Sequence, residues 1–445
     1  MMRHFFYILA VVAALAACSD NDSFTTSRTA LLTFSSDTVK MDTVFSNVGS
    51  STYSFWVYNH SGDGIRLSSV RLKSGNQTGF RVNVDGSFLD NSKGSSVTDL
   101  EVRNEDSLRV FVELTPPERH QLAPQLVEDH LVFVLESGLE QQVCLRAWAW
   151  DALKLSDVIV SNDSLIESAA PVIVYGGICV DSAATLTIRN TTIYFHEGRG
   201  VDVYGRLVTD SVIFRGDRLD HMFDYLPYDR VSGQWGKLGG IIFHASSTGN
   251  VLQRTEIRNA GLYGIFCDSV VCDTTVLRLD MYRCIVHNCD GDGLVSHHSN
   301  IRLRQCQFTN AAGDCISING GRVELSRCTL AQFYPFHTGG RAALRFSNAM
   351  PLYALTCDSS IITGYADDVW MCMVNDTINP LEYSFSNSLL RTPQIADSVR
   401  FNNIIWETPK DSIQGKLHFV NIDEQNLYYD FHLDSLSTVK GWGCY

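Results

Sequence analysis

Two rhythms of apolar and polar positions run along the chain. From about Leu31 to Ala152, apolar residues alternate with polar ones at period two, in short runs such as 54–58, 80–84, 107–114, 130–134 and 142–147. Successive side chains of a strand point to opposite faces, so this alternation predicts half-buried strands. Turn-forming stretches separate them, among them Asn59-His-Ser-Gly-Asp-Gly64 and Pro116-Pro117, whose backbone preferences interrupt pairing. No stretch shows a convincing helical period. Several short strands of this kind predict a β-sandwich.

Beyond Asp151 the rhythm becomes an imperfect repeat. Residues 255–265, 284–294 and 306–316 align by eye, and 328–332 begin in the same way. Cys284, Cys306 and Cys328 recur every 22 residues, while Asn259, Asn288 and Asn310 are offset by 29 and then 22. A period near 22 made of three short β runs is what a parallel β-helix needs, since no coil buries its apolar face alone. Coils stacked about 4.8 Å apart set like residues above one another. Asn259, Asn288 and Asn310 are therefore expected to form a structural ladder at one turn, in left-handed backbone, with a catalytic role the poorer reading. The three Cys are expected to stack as small buried thiols, mostly free, although their spacing would permit a disulfide. The fold expected is thus all-β: an immunoglobulin-like sandwich over residues 31–152, then a right-handed parallel β-helix over 153–445.

The first residues carry a separate signal. A basic start, Met1-Met2-Arg3-His4, precedes an unbroken apolar run from Phe5 to Ala14, too short to span a bilayer but suited to a signal peptide. Leu15-Ala16-Ala17-Cys18 closes it in the manner of a lipobox, where small residues fit a signal peptidase and the Cys thiol takes the lipid. The expectation is a signal peptide over 1–17, lipidation at Cys18 and a polar tether over 18–30. The competing reading is an ordinary secretory signal with a chance Cys at its end. The acidic Ser19-Asp20-Asn21-Asp22 resembles the export signal of Bacteroidetes lipoproteins, and equally suits a solvated tether.

Composition changes this picture little. Hydrophobic residues make up 45% of the chain and charged ones 19%, enough for a substantial core. The formal charge of −14 becomes −15 without residues 1–17, which repels nucleic acid and other polyanions. No nucleic-acid partner is expected, and no long apolar stretch follows the first.

Longer stretches carry a family resemblance. Residues 34–39 and 42–49 open the sandwich, 80–86 and 106–113 continue it, and 214–219 followed by Gly233-Gln-Trp-Gly236 mark an early coil. Tyr429-Asp-Phe-His-Leu433 stands near the end as a closing strand. Together these resemble the Bacteroidetes surface lipoproteins of the right-handed parallel β-helix repeat family, pectin-lyase-like in fold. The resemblance covers nearly all of the mature chain and is specific for architecture, not for activity. The ending Ser437-Thr-Val-Lys-Gly-Trp-Gly443 departs from the family's usual Ser-Pro-Ala-x-Asp-x-Gly, which puts the last coil or cap in question.

Many β-helix proteins act on polysaccharides, so carboxylate pairs are the chemistry to seek. Residues 313–318 carry one Asp of the Asp-Asp-Cys segment of polygalacturonases, and the companion motifs are missing. Asp292 lies 22 residues before Asp314, so the two are expected to stack one coil apart as the only candidate catalytic pair, with a turn role for both the stronger reading. His297 and His298 are adjacent on a strand and point apart, so they do not chelate one ion together. No cofactor and no metal site is expected. Tyr225, Tyr228 and Trp235, in a segment that breaks the coil pattern, and Trp370 beside Asp367-Asp368, are candidate sugar-stacking residues; a loop pinned by its own aromatics, and an ordinary Asp turn, are the competing readings.

The function expected is an outer-membrane lipoprotein, lipid-anchored through Cys18 and surface-exposed or periplasm-facing, whose β-helix binds glycans or another envelope protein without assignable catalysis. The alternative is a polysaccharide-degrading hydrolase or lyase. A third is a structural or adhesive role for the sandwich.

Overall fold

A computed structural model describes residues 23–219, 235–269, 275–336, 341–408 and 414–445. Cys18, Tyr225 and Tyr228 lie outside the described residues. Two compact units divide the chain: the part up to Arg119 with Pro124–Trp150, and His120–Ala123 with Asp151–Tyr445.

The first unit is a β-sandwich. One sheet orders Phe24–Thr25, Gly64–Leu72, Gln125–Leu135, Glu140–Trp150 and Thr38–Phe45, with Ser96–Val102 added to Gly64–Leu72. The other orders Leu32–Phe34, Tyr53–Asn59, Ser107–Leu114, Phe80–Val84 and Ser87–Phe88. Period-two alternation sends Val57, Val110, Val112, Leu67, Leu131, Phe133 and Leu145 from both sheets into one buried cluster. Phe34 and Phe133 meet across it with ring centroids 5.1 Å apart. Phe24–Thr25, inside the stretch read as a tether, pairs in parallel with Gly64 and Ile65.

The second unit is a solenoid. Among the described residues twenty strands, from Leu153–Val160 to Phe401–Glu407, form one continuous parallel sheet in which strands pair with their counterparts a coil away. Parallel crossovers of this kind wind right-handed. The register stacks nine apolar residues in one inward ladder: Val172, Ile193, Phe214, Ile257, Val286, Phe308, Leu330, Ile362 and Leu390. All are buried. Each coil removes this column from water only because the next lies on top of it.

The corners explain the repeated polar residues. Each three-residue strand 285–287 and 307–309 is bracketed by two left-handed residues: Arg283 and Asn288, then Gln305 and Asn310, with φ between 53° and 58°. After the first left-handed residue comes a small hydrogen-bond donor pointing inward. Thr255, Cys284, Cys306, Cys328, Ser360 and Ser388 fill that slot, and each donates to the carbonyl two residues earlier. The 22-residue Cys spacing thus marks a turn position that Ser and Thr fill equally well. Among the described residues eleven cysteines are free thiols, and burial holds Cys306 and Cys328 protonated, well above the usual thiol range. At the second corner Asn288 Nδ2 donates to Asn259 Oδ1 at 2.6 Å, and Asn310 Oδ1 accepts the Phe333 N–H.

The end of the chain adds a side cover. Phe419–Asp423 and Tyr428–Leu433 form an antiparallel hairpin, not another coil. Phe419, Phe431 and Val439 pack on Ala331, Phe333, Ile361 and Leu389 of the solenoid. The terminal Tyr445 hydroxyl donates to Gln307 Oε1 at 2.8 Å. That flank of the coils is therefore occupied by the protein itself.

Candidate functional site

A cleft of about 580 Å³ opens where three consecutive coils begin a strand, lined by Tyr263, Asp290, Asp292, Tyr334, Phe336 and Arg341 among others. Tyr263 stands beside Asp292 in register, and the coil after Asp292 carries Asp314, whose backbone carbonyl accepts the Gly293 N–H at 2.9 Å. Inward residues Ile265, Leu294, Ile316 and Leu344 anchor these strands in the core. The positions after them, Phe266, Val295, Ser317 and Arg345, face outward by alternation.

Two glycines make the room. A Cβ on Gly313 would lie 2.0 Å from Asp292 Oδ1, and one on Gly291 would lie 1.9 Å from the Leu262 carbonyl oxygen. Neither position admits a larger residue without moving the cleft wall.

The two aspartates sit in unlike surroundings. Asp314 is a strut: Oδ1 accepts the Ala342 N–H at 2.8 Å, and the Arg345 guanidinium grips both oxygens, Nε to Oδ2 at 2.5 Å and Nη2 to Oδ1 at 3.1 Å. Such a bidentate fork fixes both partners, and the bond to Asp314 raises the Arg345 pKa further. Asp292 uses Oδ1 to accept the Asp314 N–H at 2.7 Å. Among the described residues its Oδ2 takes no hydrogen bond. Burial raises the Asp292 carboxyl above its ordinary pKa, and the Asp314 charge pushes the same way, against the Asp314 N–H and the positive Arg341 and Arg345. Burial raises Asp290 as well. The cleft therefore offers carboxyl groups that keep a proton longer than usual, beside aromatic faces and cationic side chains.

The structure brings Asp292 and Asp314 together but takes other candidates away from any ligand. Trp235 is wholly buried. Its ring stacks on Phe195 at 4.8 Å and 7°, and its Nε1–H donates to the Arg258 carbonyl at 2.7 Å. It is a core plug where the interrupted coil resumes, not a sugar platform. Trp370 is 6% exposed and packs edge-on against Phe346, with ring centroids 5.1 Å apart. Its apolar surface is spent inside the solenoid, so it too offers no face to a sugar. Beside it Asp368 accepts the Trp370 N–H at 3.2 Å as a turn residue. His297 meets Phe266 edge-on at 5.2 Å, while His298, at φ 42°, lies against Tyr353 at 5.9 Å. The two rings have different neighbours, and burial lowers the pKa of both.

Several residues here escaped the sequence reading. Tyr263, Tyr334, Phe336, Arg341 and Arg345 have no motif; only the coil register assigns them to one place. Two His–Asp pairs on earlier coils were equally silent. His196 Nδ1 lies 2.6 Å from Asp217 Oδ2, with Tyr175 packed against the imidazole at 4.7 Å. His244 Nε2 lies 2.8 Å from Asp202 Oδ1, with Tyr204 stacked on it at 3.9 Å and 2°. Each carboxylate orients its imidazole. Among the described residues, the group of three ligand-type side chains close enough for one metal lies in the sandwich.

A family model described as a right-handed beta helix region matches residues 152–330. No curated protein matches the chain. Among solved structures it is similar to the VesB protease of Vibrio cholerae at 14% identity, over 28% of this chain and 33% of that one, with a TM-score of 0.18. It is also similar to a family 123 glycoside hydrolase from Clostridium perfringens at 5% identity, over 28% and 30%, with a TM-score of 0.20. A third is the catalytic unit of a thermostable GH87 alpha-1,3-glucanase from Streptomyces thermodiastaticus strain HF3-3, at 10% identity, 81% and 90% coverage and a TM-score of 0.25. The chain spans about a third of the first two proteins. Likeness of this degree says nothing of activity, and function has to be argued from the site.

Proposed function

We propose that the solenoid binds a polysaccharide across the cleft of Tyr263, Asp292, Phe336 and Arg341, and that lipid on Cys18 holds the chain at the outer membrane. The observation that carries the binding reading is the meeting of aromatic side chains, carboxyl groups and a guanidinium in one open cleft. Aromatic faces cover the C–H side of a sugar ring at low entropic cost, while carboxylate and guanidinium groups bond its hydroxyls. The net charge of −14 favours a neutral polymer over a polyanion.

Affinity electrophoresis through gels cast with neutral polysaccharides tests this. Retardation by one of them, lost in Tyr263→Ala and Phe336→Ala, supports the reading; migration unchanged in every gel refutes it. For the anchor, Cys18→Ser is expected to abolish incorporation of labelled fatty acid and release the protein from membranes.

One observation favours a second reading, hydrolysis. Asp292 and Asp290 both hold protons above the ordinary carboxylate range, as a general acid requires. Asp314 is unsuited as the partner because Arg345 and the Ala342 N–H occupy it. Release of reducing ends that vanishes in Asp292→Asn distinguishes cleavage from binding alone.

A further inference from the structure

The sandwich carries a constellation that the glycan reading does not use. Glu128, His130 and Cys144 place one ligand atom each within 4.8 Å of the others. Glu128 and His130 are two apart on the strand Gln125–Leu135, so they share its face. Cys144 lies directly opposite His130 on Glu140–Trp150.

The ladder explains why they are so close. The His130 carbonyl accepts from Lys73, on the strand away from Cys144, and the Cys144 N–H donates to Asp37, on the side away from His130. His130 and Cys144 are therefore a non-hydrogen-bonded antiparallel pair, the kind whose side chains approach most nearly. The imidazole and thiol are half-buried and the carboxylate is exposed, so solvent reaches the group. Competing for Glu128 is Arg146, opposite it in register, with Nη2 at 2.6 Å and Nε at 2.8 Å from Oε2.

We propose that Glu128, His130 and Cys144 form a binding site for a borderline-soft divalent cation such as Zn²⁺. A thiolate, an imidazole and a carboxylate match the ligand preferences of that ion and leave its fourth tetrahedral position to water or an external ligand. Binding breaks the Cys144 S–H bond and forms a metal–sulfur bond, with the proton passing to solvent. In the metal-bound form Glu128 turns from Arg146 to the ion, so the guanidinium is a built-in competitor.

Titration of the purified, fully reduced chain with Co²⁺ reads this directly, because thiolate ligation gives a near-ultraviolet charge-transfer band. The expected result is a band that saturates near one equivalent and is displaced by Zn²⁺. Cys144→Ser abolishes it, His130→Gln weakens binding roughly tenfold or more, and Arg146→Ala strengthens it. The free cysteine Cys179 serves as control: Cys179→Ser leaves the band intact. Circular dichroism checks that each variant is folded, and His130→Gln decides the matter if Cys144→Ser is not. Absence of the band in the wild-type chain, or its persistence at full intensity in Cys144→Ser and His130→Gln, overturns the proposal.

Discussion

Asp292 Oδ1 accepts the backbone N–H of Asp314 at 2.7 Å across two consecutive coils. Because the bond takes one oxygen of Asp292 and only the main chain of Asp314, it orients the first carboxyl without engaging the second. The side chain of Asp314 is left to Arg345 and the Ala342 N–H. Two aspartates one repeat apart thus hold different jobs, one facing the cleft and one bracing its wall.

The cleft aspartate sets a pH dependence. The folded pKa of Asp292 is raised above its unfolded value, chiefly by burial. Its contribution to stability is therefore fully present below the unfolded pKa and lost as pH rises through the folded one. Asparagine keeps an acceptor for the Asp314 N–H and does not titrate. The melting temperature of Asp292→Asn relative to wild type is thus expected to rise between about pH 3 and pH 7. Calorimetry at several pH values checks this; a difference that is flat or falls with pH contradicts it.

The bracing aspartate sets a stability cost. Asp314→Ala leaves the partly buried Arg345 without its partner and the Ala342 N–H without its acceptor. Breaking one half of such a pair costs roughly 3 kcal/mol. Asp314→Asn, which keeps an acceptor for Ala342, is expected to lose less. Urea denaturation followed by a probe in the solenoid measures the order of the two variants.

Trp235 separates core from ligand. Trp235→Ala removes a wholly buried ring stacked on Phe195, and large aromatic deletions of this kind cost roughly 3–5 kcal/mol. Polysaccharide retardation by the remaining folded protein is expected to be unchanged. A weakened affinity at preserved stability would restore Trp235 to the binding surface.

The Cys column behaves as a turn element. Cys306→Ser is expected to change stability by about 1 kcal/mol or less, because a hydroxyl makes the same bond to the carbonyl two residues back, as Ser360 and Ser388 do. In the native wild-type chain Cys284, Cys306 and Cys328 are expected to resist a thiol reagent that labels them after denaturation. Mass spectrometry of labelled peptides reads both states.

These residues show how far the sequence carried. The period-two runs located five of the sandwich strands, because one face of each meets a core and the other meets water. The 22-residue recurrence of Cys, with Asn returning after 29 and then 22 residues, located the solenoid, because stacked coils repeat their corners. One left-handed corner was legible through Asn259, Asn288 and Asn310, since Asn tolerates that backbone. The other was not, since Arg283, Gln305 and Arg327 hold the same conformation without a residue type that announces it. Trp235 and Trp370 misled because an aromatic beside an interruption or an Asp pair reads alike whether it turns inward or outward. The partnership of Asp314 with Arg345 was invisible because 31 residues separate them, a spacing that departs from the repeat. Near Phe24 the tether gave way to a strand, since a two-residue pairing carries no periodic signal.

The central claim is that a polysaccharide occupies the Tyr263–Asp292 cleft, and hydrogen exchange tests it most directly. Exchange of the full chain is measured by mass spectrometry with and without a polysaccharide that retards it in gels. The account predicts slowed exchange in peptides covering residues 262–266, 290–294 and 311–314, with the sandwich unchanged. Protection confined to the sandwich, or to coils remote from these residues, would contradict it.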